Sequence, residues 1–348
     1  MRIAFSVAGV LAAGLLLAPG AGLAQSPEAE SWVLPRTPDG QPDLQGIWSN
    51  NSATPLERPE ELGGQAELTE EELARARERY AQIFGSGDGD AAFGDRVFAT
   101  AIGDQDAFQY GDGSPGNYNQ FWMVDREFDN RTSLVVDPPT GRLPPFTPEA
   151  QQRADARREH FEANPGSSYT DRRLQERCIT VGMPNLFPGY NSNFHILQTP
   201  DHVVFLHEMM HDARIIPLGD APHVDDDIRQ WHGDPRGYWD GDTLVVETTN
   251  FSPKAESPAA VFTRHRGSAG QLRLVERFTR VGRETIEHRF TVDDPGTYSA
   301  PWTAVILLKR SGDVLYEYAC HEGNVGMEGI LTGHRAEERR AAEAAAGR

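Results

Sequence analysis

From Phe194 to Cys320 the chain repeats one pattern: a short run of β-branched, aliphatic and aromatic residues, then a break containing Asp, Gly or Pro. The runs are FHILQT, HVVFLHEMM, ARIIPL, DTLVVETTNF, LRLVERFTRV, ETIEHRFTV, WTAVILLKR and VLYEYAC. Strands this short and this regularly spaced predict an up-and-down antiparallel barrel or curled sheet. Three turns stand out between them. Trp239-Asp240-Gly241-Asp242-Thr243 is a hairpin signal, with Asp240-Gly241 suited to a type I′ turn. Arg280-Val281-Gly282-Arg283 and Arg310-Ser311-Gly312-Asp313 supply the other two.

The remainder is organised around that β region. Asp43-Leu44-Gln45-Gly46-Ile47-Trp48 resembles the G-x-W opening of the first strand in lipocalin-type barrels. The predicted fold class is therefore mainly β. It is an antiparallel lipocalin-like barrel or curled sheet, with a first strand at 43–50 and the main β region at 171–325. A long irregular N-terminal insertion occupies 51–170, with a few peripheral helices, and 335–348 forms a helical tail. Within the insertion, Thr69-Glu70-Glu71-Glu72 is a capping box opening the helix LARARERYAQIF. Thr147 and Pro148 suit the N-cap and first turn of a second helix running to about Ala163. Gly111 to Gly116 fits G-x-G-x-x-G literally, but it lacks a preceding strand and a following helix and contains Pro115, so it is no dinucleotide site.

Residues 1–24 have the positive start, apolar run and small-residue end of a secretory signal peptide, leaving a single domain over 25–348. The expected location is secreted or periplasmic. A formal net charge of −19 argues against nucleic acid and anionic membranes as partners. Nothing beyond the leader is long and apolar enough for stable membrane insertion, and the oligomeric state is not encoded. The two cysteines, Cys178 and Cys320, close a disulfide in an oxidising compartment; the alternative is two buried thiols.

One segment carries the chemical argument. His207-Glu208-Met209-Met210-His211 matches the H-E-x-x-H zinc signature, which requires both histidines on one helical turn. Thr199-Pro200-Asp201 could cap such a helix, but Val203, Val204 and Phe205 on one side and Ile215 and Ile216 on the other favour a strand. In a strand, Glu208, Met210, Asp212 and Arg214 point one way and His207, Met209, His211 and Ala213 the other; only a bulge brings Glu208 and His211 together. The expected catalytic group is Glu208 with His211 as an acid/base pair and Arg214 orienting an anionic or carbonyl group. The alternative is a buried polar network that braces the barrel.

His232 and Arg236 are expected at a cavity rim, Trp239 in its wall and Glu247 pointing inward as a second acid. His321 and Asn324 follow Cys320 directly, so a disulfide would hold them near the barrel mouth. His195, His202, His265 and His288 read as structural histidines. In combination, RTSLVVDPPTGRLPP (131–145), ERCIT (176–180), E-x-x-H-D-A-R-I-I-P-L (208–218), RQWHGDPRGYWDGDTLVVETTNF (229–251) and YEYACHEGN (316–324) resemble a large group of secreted bacterial β-rich proteins. The resemblance covers well over half of the chain beyond the leader. It implies an antiparallel, lipocalin-like β fold and export, and no particular reaction. Relatives keep Glu and His at the positions of Glu208 and His211 but not His at 207.

These readings converge on an exported protein that holds a small, partly apolar or aromatic molecule in a barrel cavity. The favoured activity is metal-independent acid/base chemistry of the lyase, isomerase or hydratase type, with no cofactor. The alternatives are a non-catalytic periplasmic ligand-binding protein and a zinc-dependent hydrolase using His207 and His211.

Overall fold

The computed structural model describes residues 32–109, 118–163, 168–186, 188–258 and 269–347. The expected leader, the G-x-G-x-x-G at 111–116 and His265 lie outside the described residues. The ten strands are β1 (Gly46–Ser49), β2 (Val135–Asp137), β3 (Asn193–Gln198), β4 (His202–His207), β5 (Ala213–Pro217), β6 (Asp234–Asp240), β7 (Thr243–Thr249), β8 (Arg273–Gly282), β9 (Thr285–Asp293) and β10 (Trp302–Arg310). Nine of them follow the order β5-β4-β3-β1-β10-β9-β8-β7-β6, each ladder antiparallel.

Nine antiparallel strands cannot close on themselves without one parallel contact, because direction alternates around the ring. That contact is the β5–β6 seam, where Leu218 bridges Gly237 in parallel and the Gly219 N–H donates to the Gly237 carbonyl at 3.0 Å. A parallel neighbour needs a long connection, and residues 218–233 provide it. Gly237 is required there: a Cβ would sit 2.8 Å from Ile216 and 2.9 Å from Leu218. The result is a nearly closed mainly-β barrel, as the strand pattern predicts.

The insertion is a loop-out from one position of the barrel. β1 pairs with one end of β10 (Trp48 with Arg310), the chain departs, and β2 returns to pair further along the same edge (Ala304 with Val135). In between, α1 (Glu70–Phe84) and α2 (Arg96–Ile102) bury Ala76, Phe84, Val97, Phe98 and Ala101 in a small core of their own with Phe128. The Thr69 capping box is present, with Thr69 Oγ1 accepting from the Glu72 N–H and Glu72 accepting from the Thr69 N–H. α3 (Pro148–Ala163) starts where Thr147 accepts from the Ala150 N–H.

Period-two alternation fills the barrel. Leu274, Phe278, Ile286, Phe290, Val292, Trp302, Ile306 and Leu308 all point inward and are essentially fully buried. Each such side chain contributes about 1.5–3 kcal/mol by burial. One end is stoppered by residues 42–46. Trp48 donates Nε1–H to the Leu44 carbonyl (2.8 Å), Leu44 N–H donates to Gln198, and the guanidinium groups of Arg280 and Arg310 lie 5.5 and 5.6 Å from the Trp48 ring centre. Gly46 (φ 125°) leaves the room that Arg310 occupies.

Three local expectations are corrected. The β6–β7 turn is Gly241-Asp242, with Asp240 paired to Thr243 and only Gly241 at positive φ; this is the II′ pattern rather than I′. VLYEYAC forms no strand, because both edges of β10 are already taken by β9 and by β1 and β2. The helical tail begins ten residues early: α4 is Val325–Ala346, capped by Asn324, which accepts from the Met327 N–H.

Candidate functional site

The H-E-x-x-H segment is neither a helix nor one continuous strand. β4 ends at His207, residues 208–212 reverse the chain, and β5 begins at Ala213, with His207 N–H donating to the Asp212 carbonyl at 2.8 Å. Met210 (φ 63°) and His211 (φ 43°) take left-handed backbone that non-glycine residues seldom adopt. The alternation expected over 207–214 is therefore broken at the turn, and His207 and Arg214 end on the same inner wall.

The expected Glu208–His211–Arg214 group is dispersed by this reversal. Glu208 is buried, accepting from Asn193 Nδ2 at 3.0 Å and from the Tyr316 N–H at 3.3 Å. His211 is exposed, its Nδ1 3.1 Å from the Tyr318 carbonyl. Arg214 alone enters the barrel. The helical spacing that would let His207 and His211 share a zinc ion is likewise absent, since one is interior and the other lies on an exposed turn. Among the described residues no three His, Cys, Asp or Glu side chains are grouped to hold a metal ion.

What the barrel does assemble is a buried polar cluster away from the end closed by residues 42–46. Arg214 Nη2 meets Glu276 Oε2 at 2.5 Å and donates to Thr248 Oγ1 at 2.6 Å; His288 Nε2 lies 3.1 Å from Glu276 Oε1. Burial pushes the Glu276 carboxyl up, but the Arg214 charge and the bond to His288 outweigh it and bring it down to about 2. Beside this network lies a cavity of about 20 Å³, room for one ordered water. His207 and Asn50 face it, and Phe194, Phe205 and Phe278 form apolar wall. Several of the polar atoms in these lining residues are buried without a hydrogen-bond partner: both ends of the Asn50 amide, His207 Nδ1 and Arg214 Nε.

Burial pulls the His207 imidazole down to about 4 from its ordinary 6.5, with the nearby His232 and Arg214 adding to it. The unfolded chain therefore takes up a proton near pH 6.5 that the folded chain refuses until about pH 4. Stability from this group is complete above pH 6.5 and falls as pH drops through that window, by roughly 3 kcal/mol at 1.36 kcal/mol per unit. Denaturant titrations at pH 7 and 4.5 should register most of that loss, and His207→Phe should flatten the slope between them. An unchanged slope in the variant would assign the pH dependence elsewhere.

The remaining expected residues lie outside the cavity lining. His232 sits 2.7 Å from Thr180 Oγ1 and 3.2 Å from Asp212, and Arg236 pairs with Asp234 at 2.7 Å. Trp239 packs on the outer part of the core. Glu247 points outward, not inward, and pairs with Arg273 at 2.6 Å; the neighbouring Val246 and Thr248 hold the inward phase. His321 is exposed. Asn324 caps α4 and donates to the Glu176 carbonyl and to Cys178 Sγ at 3.1 and 3.3 Å. Cys178 and Cys320 are joined, as expected, holding the 316–324 segment near the 208–212 turn.

Asn50, Glu276 and His288 as site residues are missed by motif reading. A signal was available for two of them. Glu276 is in phase with Leu274 and Phe278, and His288 with Ile286 and Phe290, so each strand carries a polar group at a core position. Asn50 follows Trp48 by two, just past the end of β1, and nothing local marks it.

No family model and no curated protein matches this sequence. One solved structure with partial similarity is a secretary abundant heat soluble (SAHS) protein from Ramazzottius varieornatus, 14% identical, with 34% of this chain and 70% of that chain covered. Its TM-score of 0.22 is too low to argue from, and the barrel rests on the strand order itself.

Proposed function

We propose that the protein binds a compact, uncharged, partly apolar molecule inside the barrel, its polar end against Asn50, His207 and Arg214. The carrying observation is the convergence of unpartnered buried polar atoms on one cavity, since such atoms ordinarily find partners. The charges of Arg214 and Glu276 cancel within the wall, which favours a neutral ligand. The Asn50 amide offers one donor and one acceptor, matching a group with an adjacent acceptor and donor, such as an amide or hydroxy-carbonyl. Because the cavity as it stands has room for one water, such a molecule enters by displacing the Met183–Asn185 segment, which forms part of the wall. Action outside the cytoplasm fits the Cys178–Cys320 disulfide.

The protein purified from its own cells and denatured should release a stoichiometric small molecule detectable by mass spectrometry. Asn50→Leu with His207→Leu should cut retention at least tenfold, the equivalent of about 1.4 kcal/mol. Equal release from variant and parent, or no release from the parent, would reject the reading. A second reading, acid/base chemistry on the bound molecule, rests on His207 as a neutral imidazole with a free Nδ1. Turnover lost in His207→Gln while ligand retention persists would support it.

A further inference from the structure

A second cavity, also about 20 Å³, has Thr54, Leu56, Asp95 and Arg126 of the insertion and Leu186 and Pro188 on its walls. Arg126 is 6% exposed, and its Nε and Nη1 are buried without any hydrogen-bond partner. The other buried arginines are treated differently. Arg58 donates to Thr132 and the Thr140 carbonyl, Arg214 meets Glu276 and Thr248, and Arg280 donates to the Asp43 and Arg283 carbonyls. A guanidinium cannot shed its proton to escape burial, so an acceptor has to come to it.

Asp95 shares the wall but does not fill that role. Its side chain makes no ion pair with Arg126; its Oδ1 accepts from the Leu56 N–H at 3.1 Å. Although the residue as a whole is exposed, its carboxyl is largely desolvated, and burial raises it above the ordinary carboxylate range despite the nearby Arg126 charge. The space left is small, and its lining holds one cation, Arg126, beside the Asp95 carboxyl, which disfavours a multiply charged phosphate and leaves a single compact charge. We propose that Arg126 forms a binding site for a compact monoanion, a halide or a carboxylate no larger than formate. Residues 183–185 border the barrel cavity and 186 and 188 border this one, so a single loop separates the two sites.

The test uses the whole chain at constant ionic strength, sodium gluconate being replaced stepwise by chloride or by formate, gluconate being too large for the space. The melting temperature should rise saturably in one or both, identifying the halide or the carboxylate as occupant, and the rise should vanish in Arg126→Gln. Asp95→Asn, which removes the competing carboxyl from the wall, should lower the half-saturating concentration at least threefold. Should Arg126→Gln fail to fold, bromide-soaked crystals of the parent protein decide: a bromide peak within hydrogen-bond distance of the Arg126 guanidinium is expected. A flat melting temperature in both anions, an equal rise in Arg126→Gln, or water alone at the guanidinium would overturn the proposal.

Discussion

Glu276→Gln is expected to lower the unfolding free energy by about 3–5 kcal/mol, the cost of stranding a buried charge. Arg214 and Glu276 are both almost wholly enclosed, and among the described residues the carboxylate is the only charge compensating the guanidinium at contact distance. Glutamine keeps the shape and leaves the cation without a counter-charge. The double change Arg214→Met with Glu276→Leu should recover most of the loss and could exceed the parent by 1–4 kcal/mol, because two apolar side chains remove both desolvation costs. Urea titrations of the three proteins give the comparison directly. If the double variant is as unstable as the single one, the pair is fixed by more than its own electrostatics, and the network would have to be extended to His288 and Thr248. The same carboxylate has an acid limb: its folded value near 2 against 4.5 unfolded means its contribution is intact above pH 4.5 and lost as pH falls toward 2. This loss overlaps the His207 window only between about pH 4.5 and 4, so the two groups are separable by pH.

Reduction of Cys178–Cys320, or its replacement by Cys178→Ser with Cys320→Ser, should cost about 2–5 kcal/mol. The bond closes a loop of 142 residues that contains β3 to β10, so its constraint on the unfolded chain is near the upper end. Its local consequence is more specific. The tethered segment supplies the Tyr316 N–H to buried Glu208 and the Tyr318 carbonyl to His211. Amide exchange should therefore accelerate first at residues 208–212 and 316–324 in the reduced protein. Uniform acceleration across the barrel would show instead that the disulfide acts only through global stability.

The legible parts of this fold are those encoded within a few residues. The strands from β3 to β10 other than β6 follow from alternation with turn residues between them, and the helix caps at Thr69 and Thr147 follow from side chains that reach their own backbone; β6, DPRGYWD, carries no such run and is marked only by the hairpin signal at its end. The 208–212 reversal is illegible for a matching reason. Met209, Met210 and His211 carry none of the usual turn chemistry, yet two of them adopt left-handed backbone. Without that reversal the alternation rule puts Glu208 and Arg214 on one face; with it, Glu208 turns to Asn193 and Tyr316 while His207 joins Arg214 inside.

Read alone, then, the sequence specified an antiparallel β barrel or curled sheet with a long N-terminal insertion, the phase of most of its strands, and two cysteines able to pair. Only the tertiary structure decided which polar groups meet. Arg214 on β5 and Glu276 on β8 become neighbours because the sheet closes at the β5–β6 seam, which the odd strand number makes parallel, bringing β5 up against β6 and the sheet beyond it. Local sequence sets the direction of each side chain relative to its own strand, whereas contacts across a closed barrel depend on strand count, order and register together.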